Sequence, residues 1–276
     1  MKLPGSDRPA QLRAFDRLLT IMDELREKCP WDRKQTFESL RHLTIEETYE
    51  LSDAILERDF AEVKKEIGDL MLHMVFYARI ASETGTFDIA DVLNSICDKL
   101  IKRHPHIYPD ESGRTVEVTT EEQVKQNWEQ LKLKEGNKSV LAGVPKTLPA
   151  LVKAMRVQEK ARGAGFDWEE KAQVWEKVKE EMNEFEEHID QPGGKLLDAG
   201  RAEEEFGDLL FALVNYARFL DLNPETALER ANKKFIRRFN FLEEHSAADG
   251  RELREMTLAE MDAYWEKAKS LEKDSQ

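Results

Sequence analysis

EIGDLMLHMVFYAR (residues 66–79) and EFGDLLFALVNYAR (residues 205–218) are one pattern written twice, and they decide the fold. Eight of the fourteen positions are identical, at an offset of 139. Each begins with Glu-x-Gly-Asp and runs on almost without polar interruption. Between residues 70 and 81 only His73 and Arg79 are strongly polar, and between 209 and 220 only Asn215 and Arg218. A run of this length, apolar nearly all round, predicts a buried central helix in each copy.

Three further echoes fall at nearly the same spacing. EETYE (46–50) faces EEMNE (180–184) at an offset of 134. Trp31 faces Trp168, and Trp128-x-x-x-Lys132 faces Trp265-x-x-x-Lys269, both at 137. Repeats at one offset mean a duplicated module. Gly and Pro gather at a few breaks, and apolar residues recur at i, i+3, i+4 between them, which predicts an all-α fold. Period-2 alternation is confined to a few residues near Val116 and Val118. The expected division is a first module over 12–135, a linker over 136–148 and a second module over 149–276. The modules are expected to pack on each other or on a second chain as a homodimer.

Composition narrows the function. The 276 residues carry 56 Asp and Glu against 42 Lys and Arg, a net charge of −14. That excess repels nucleic acid and anionic lipid, so neither is an expected partner. A polyanionic ligand then binds only where metal ions or local Lys and Arg reverse the field. The two cysteines, Cys29 and Cys97, form no disulfide framework or metal-binding pair. With no signal-like start and no apolar run long enough for a span, the expectation is a cytoplasmic protein.

The chemistry resides in a repeated acidic quartet. Glu47, Glu50, Glu66 and Asp69 form it in the first copy, and Glu181, Glu184, Glu205 and Asp208 in the second. Spacing of i, i+3 puts each pair on one helix face, one turn apart. Two antiparallel helices bring the four carboxylates together at the edge of an apolar core. Like charges there repel, and desolvation adds to the cost, so the quartet needs protons or a hard cation. Oxygen-only ligands favour Mg²⁺, with Mn²⁺ as a substitute. Gly68 and Gly207 are expected to let the helices approach closely, since a helical Gly otherwise costs about 1 kcal/mol.

A basic helix follows. Lys234 and Arg238 share a face at i, i+4, and the first copy has Lys99 and Arg103 at the matching places. Cations beside a carboxylate–metal cluster suit a triphosphate. No P-loop sequence is present, which excludes that class of ATPase. No Glu lies three residues before any of the six histidines, which excludes a di-iron carboxylate bundle.

The chain resembles the MazG family of all-α nucleoside triphosphate pyrophosphohydrolases. The resemblance rests on CPWD (29–32), EETYE, EIGDL, RHPHIY (103–108), GFDW (165–168), EEFGDLLF (204–211) and ANKKFIRRF (231–239). It implies helical modules that dimerise and hydrolyse nucleoside triphosphates to monophosphate and pyrophosphate with Mg²⁺. It places metal ligands at Glu181, Glu184, Glu205 and Asp208. Nucleotide contacts fall at Lys177, Glu180, Arg201, Lys234, Arg238, Trp265 and Lys269, and Glu181 or Glu180 is the proton acceptor. The first-copy quartet is a second candidate metal site. There, Cys97 stands where the second copy has Asn232, Asp98 stands for Lys233, and His104-Pro105 ends the helix early. The second module is therefore the expected catalyst and the first a scaffold or weak site. The competing expectation is a non-catalytic nucleotide sensor.

Overall fold

The computed structural model describes residues 7–109, 115–120, 123–124, 127, 139–190 and 194–274. The chain separates into two compact units, Met1–Thr119 and Thr120–Gln276. Among the described residues the fold is all-α, apart from one small hairpin.

In the first unit, α1 (Arg8–Lys28), α2 (Phe37–Glu57), α3 (Phe60–Ser82) and α4 (Ile89–Arg103) follow in order. Each start is written in the sequence. Asp7 accepts from Ala10, Asp59 from Ala61 and Glu62, and Thr36 and Asp88 form reciprocal caps with Ser39 and Asp91. Such caps satisfy amides that have no partner inside the helix. Only Arg58 and Asp59 separate α2 from α3, and Arg58 takes the left-handed conformation that closes the helix (φ 57°). The pair is thus an antiparallel helical hairpin. Its core is Met22, Leu40, Val75 and Phe76, all at most 2% exposed. The short segment after Cys29 is pinned by Arg26, which donates to the carbonyls of Asp32 and Gln35 and pairs with Glu83 at 2.7 Å.

The second unit has α5 (Ala150–Gly163), α6 (Lys171–Glu187), α7 (Ala199–Phe219), α8 (Pro224–Ala248) and α9 (Leu258–Asp274). α6 and α7 pair as α2 and α3 do, and α8 packs on α9. The α6–α7 connection carries the hairpin, in which Ile189 faces Leu196 and Asp190 faces Lys195. Asp167 in the segment before α6 is gripped by Arg218 from α7. Val174, Val178, Ala202, Ala212, Val214, Leu242, Met256 and Ala268 form the buried apolar set.

Two expectations change. The central helices are not buried all round: Ile67 (51%), Met71 (44%) and Met74 (44%) are exposed on α3. Their counterparts on α7, Phe206 (47%), Leu210 (45%) and Leu213 (40%), are exposed too. Each module is a thin layer, so the inward face of the helix is covered and the outward face is not. Gly68 and Gly207 do not mediate close helix contact, because a Cβ at either would meet nothing within 4 Å. They lie on the same outward side, next to Ile67 and Phe206. Val116 and Val118 form no strand. Trp128, Lys132 and the first residues of the expected linker lie outside the described residues. No helix among the described residues is long and apolar enough to cross a membrane.

Candidate metal and nucleotide site

The two helical hairpins gather the acidic residues at matching places. On α2 and α3, Glu47, Glu66 and Asp69 each bring an oxygen within 4.8 Å of the others. On α6 and α7, Glu181, Glu184 and Glu205 do the same. Three members of each quartet converge in this way. The fourth members, Glu50 and Asp208, lie outside these groups and are exposed.

The first cluster is the more deeply set. Glu66 is 2% exposed, and its Oε2 is buried with no hydrogen-bond donor beside it. Its Oε1 takes Lys65 Nζ at 2.8 Å, and that contact holds its carboxyl below the usual range. Glu47 is pushed the other way, up to about 7. Burial is the main cause, helped by the neighbouring Glu66 carboxyl and by the charges of Asp69 and Glu50. Glu47 therefore holds a proton more readily than an ordinary carboxyl, which eases the charge of the group. On the same inner face of α3, one turn past Asp69, lies His73 (7% exposed), which burial keeps neutral. One turn further on, Tyr77 meets Thr44 of α2 at 2.8 Å.

The second cluster is balanced by a lysine on the helix that carries Glu181 and Glu184. Lys177 on α6 reaches Glu180 at 2.7 Å and Glu181 at 2.8 Å. Glu181 is buried. The Glu184 carboxyl is raised by burial and by Glu181, despite the opposing pull of Lys177. The layer above is apolar where the first module is polar, with Val178 and Ala212 replacing Thr44 and His73.

Both clusters fit a hard divalent cation on their own chemistry. The donors are all carboxylate oxygens, too close to be ionised together without compensation, and Glu66 keeps an unsatisfied buried oxygen.

That fit has a pH signature. A carboxyl whose folded pKa exceeds its ordinary value of 4.5 binds its proton more tightly folded than unfolded. Glu47 thus stabilises the metal-free protein below pH 4.5, and that contribution is lost as pH rises through 7. The neutral His73, its pKa lowered, acts in the opposite direction. The expected result is that Glu47→Gln flattens the acid-side advantage of wild type in melting curves with EDTA between pH 5 and 8. Because a cation must displace the proton, Mg²⁺ should raise the wild-type melting temperature more at pH 8 than at pH 5.5. Equal Mg²⁺ shifts at both pH values, or identical slopes for the variant and wild type, would refute the raised Glu47 pKa.

The remaining sequence candidates are placed as follows. Lys234 and Arg201 are exposed, on α8 and in the first turn of α7. Arg238 lies beside Trp265, its guanidinium carbon 5.8 Å from the ring centroid, while Phe235 meets the same ring at 5.0 Å. Lys269 pairs with Glu266 at 2.6 Å. Among the described residues no hydrogen bond or ion pair joins Lys234, Arg238, Trp265 or Lys269 to the carboxylate cluster. The early end of the first module's basic helix is observed: α4 stops at Arg103, whereas α8 runs for 25 residues.

Two participants escaped the sequence reading. Lys65 sits next to Glu66 in sequence and on the same helix, and it takes that carboxylate at 2.8 Å. Glu272 on α9 binds both Arg237 and Arg238. It lies 34 residues from Arg238, and only helix packing unites them.

The description "MazG nucleotide pyrophosphohydrolase domain" matches the chain twice, over residues 35–108 and 169–241. The chain is 44% identical over 260 residues to the nucleoside triphosphate pyrophosphohydrolase/pyrophosphatase MazG of Thermotoga maritima, covering 92% of this chain and 95% of that one. It is 42% identical over 270 residues to the nucleoside triphosphate pyrophosphohydrolase of Escherichia coli, covering 95% of this chain and all of that one (100%). Among solved structures, a MazG-related protein from Thermotoga maritima aligns with 43% of this chain and 98% of its own, at 26% identity and a TM-score of 0.37.

Proposed function

Because the chain belongs to the MazG nucleotide pyrophosphohydrolase family and carries its domain twice, we propose that the second module hydrolyses nucleoside triphosphates to monophosphate and pyrophosphate with Mg²⁺. Clearing or adjusting nucleotide pools in the cytoplasm is the corresponding cellular role. Residues 149–276 are the catalytic module, 12–135 a structural or auxiliary module, and 136–148 the link.

The observation that carries the choice is the second cluster with its lysine. Lys177 contacts Glu180 and Glu181 in a unit that also contains the long basic helix. The first module has Leu43 in place of Lys177 and Asp98 in place of Lys233. Its cluster is met by Lys65 at Glu66, and the basic helix that follows it is shorter.

Glu181, Glu184, Glu205 and Asp208 hold the metal in this reading. Mg²⁺, or Mn²⁺ in its place, would supply neutralisation of phosphate charge and would make the attacking water more acidic. Glu180 or Glu181 accepts the proton as the water oxygen bonds to the α-phosphorus. The bond from that phosphorus to its bridging oxygen breaks, and pyrophosphate leaves with the electron pair. Lys234 and Arg238 offset the charge that develops on it. Lys177, Arg201 and Lys269 complete the basic surround, and Trp265 offers an aromatic face to the base. The uncovered apolar ridges on α3 and α7 support assembly as a homodimer, since stripes of that kind are usually covered by another surface.

The test is a screen of ribo- and deoxyribonucleoside triphosphates with separate detection of pyrophosphate and orthophosphate. Pyrophosphate should appear with at least one of them, should require Mg²⁺ and should stop with EDTA. Nucleotide binding without turnover would overturn the enzyme reading in favour of a nucleotide sensor.

A further inference from the structure

We infer that Glu272 is a positioning residue for nucleotide binding by the second module: it fixes the Arg238 guanidinium against Trp265 and leaves its outer edge free for a phosphate. The inference rests on the reading of Arg238 as a phosphate contact.

A guanidinium has five N–H donors arranged in a planar fork. Glu272 Oε2 accepts from Arg238 Nε at 2.9 Å and from Nη2 at 2.7 Å, which occupies one side of the fork. No hydrogen bond among the described residues reaches Nη1, so the end of the fork remains unused. The same carboxylate takes Arg237 Nε on its other oxygen at 2.9 Å. The two arginines differ in setting. The Arg238 side chain is 17% exposed and lies over Trp265, whereas that of Arg237 is 63% exposed. Glu272 therefore holds one arginine in and uses the other as an outer brace. Its carboxyl stays ionised, because the Arg238 contact, seconded by Arg237, lowers its pKa.

A flexible cation that must be ordered by its ligand wastes part of the binding energy, and one already ordered does not. Bidentate recognition of phosphate also depends on the orientation of the fork, not only on its charge. Glu272 provides that orientation from α9, the helix that also carries Trp265 and Lys269. A carboxylate competing with phosphate for Arg238 would have the opposite effect on affinity, so the two readings differ in sign.

The experiment uses the full chain and the triphosphate it turns over fastest, with kcat and KM taken from pyrophosphate release. Glu272→Ala should lower kcat/KM about tenfold, the scale at which supports of a site residue act. Glu272→Gln, which keeps an acceptor oxygen and the side-chain shape, should recover most of it and serves as well if the alanine variant folds poorly. In an Arg238→Ala background Glu272→Ala should add almost nothing, because it acts through the arginine. A rise in kcat/KM would overturn the inference and make Glu272 a competitor of the phosphate. Additive losses would overturn it in favour of a purely structural role. If Arg238→Ala itself leaves kcat/KM unchanged, the reading of Arg238 as a phosphate contact fails, and this inference fails with it.

Discussion

Glu205→Gln is expected to lower pyrophosphate release by at least a hundredfold, whereas Glu66→Gln should leave the rate within a few-fold of wild type. The two residues hold equivalent places, each leading the inner face of the longer helix of its hairpin. Removing a group that merely supports a metal ligand typically costs 10–100-fold, so removing a ligand should cost no less. The substitution keeps volume and hydrogen-bonding capacity and deletes one charge. Glu205 is among the charges that raise the Glu184 carboxyl, so its neutralisation relieves repulsion within the cluster. The metal-free variant should accordingly melt no lower than wild type, which separates lost chemistry from lost fold. Rates and melting curves for both variants settle the matter. The assignment of catalysis to the second module falls if Glu66→Gln silences the protein and Glu205→Gln does not.

The largest stability effect is expected at Phe76→Ala. Phe76 is 2% exposed and packs with Met22, Leu40 and Val75 in the core of the first unit. It also lies under the Arg26 guanidinium, 5.9 Å from its ring centroid, and Arg26 is the residue that pins the segment after Cys29. Truncating a buried Phe to Ala costs about 3–5 kcal/mol, from transfer and from the cavity left behind. A domain with a total stability of about 5–15 kcal/mol is seriously weakened by that loss. The second unit has a core of its own, so calorimetry should show an early transition for the first unit and a later one close to the wild-type midpoint. Below the first transition, pyrophosphate release should persist. A single transition shifted as a whole would mean that the two units unfold as one.

The fold was legible because the decisive pattern is local and occurs twice. Helical periodicity depends on residues a few positions apart, as do the side-chain caps that the structure shows at Thr36, Asp59 and Asp198. The carboxylate clusters were legible for the same reason, since i, i+3 spacing fixes a face before any packing is known. Other features depend on what lies opposite. The run from Leu70 announced an apolar helix but not which side would be covered, so Met71 and Met74 were expected inside. Gly68 looked like a contact point, because a helical glycine costs stability and an approaching helix would account for it. Lys65 and Lys177 show another limit: each balances its cluster through a contact within its own helix, but spacing alone does not say which carboxylate a lysine will take. The hairpin over 189–196 lay in a stretch read simply as a Gly- and Pro-rich break.

The unequal connections between the paired helices have a kinetic consequence. Two residues join α2 to α3, and eleven (188–198) join α6 to α7. Closing the longer loop costs roughly 1.5 kcal/mol more chain entropy, about 0.6 for each doubling of length. The small hairpin offsets part of this by clasping the ends of the loop, with the Leu197 amide on the His188 carbonyl at 2.9 Å. The first hairpin needs no such clasp, and its contacts are as local as helix packing allows, which favours rapid formation. During synthesis it also leaves the ribosome first. The half of the molecule proposed to have the lesser chemical role is therefore the half built to fold early, with Glu47, Glu66 and Asp69 already gathered while the second half is still being translated.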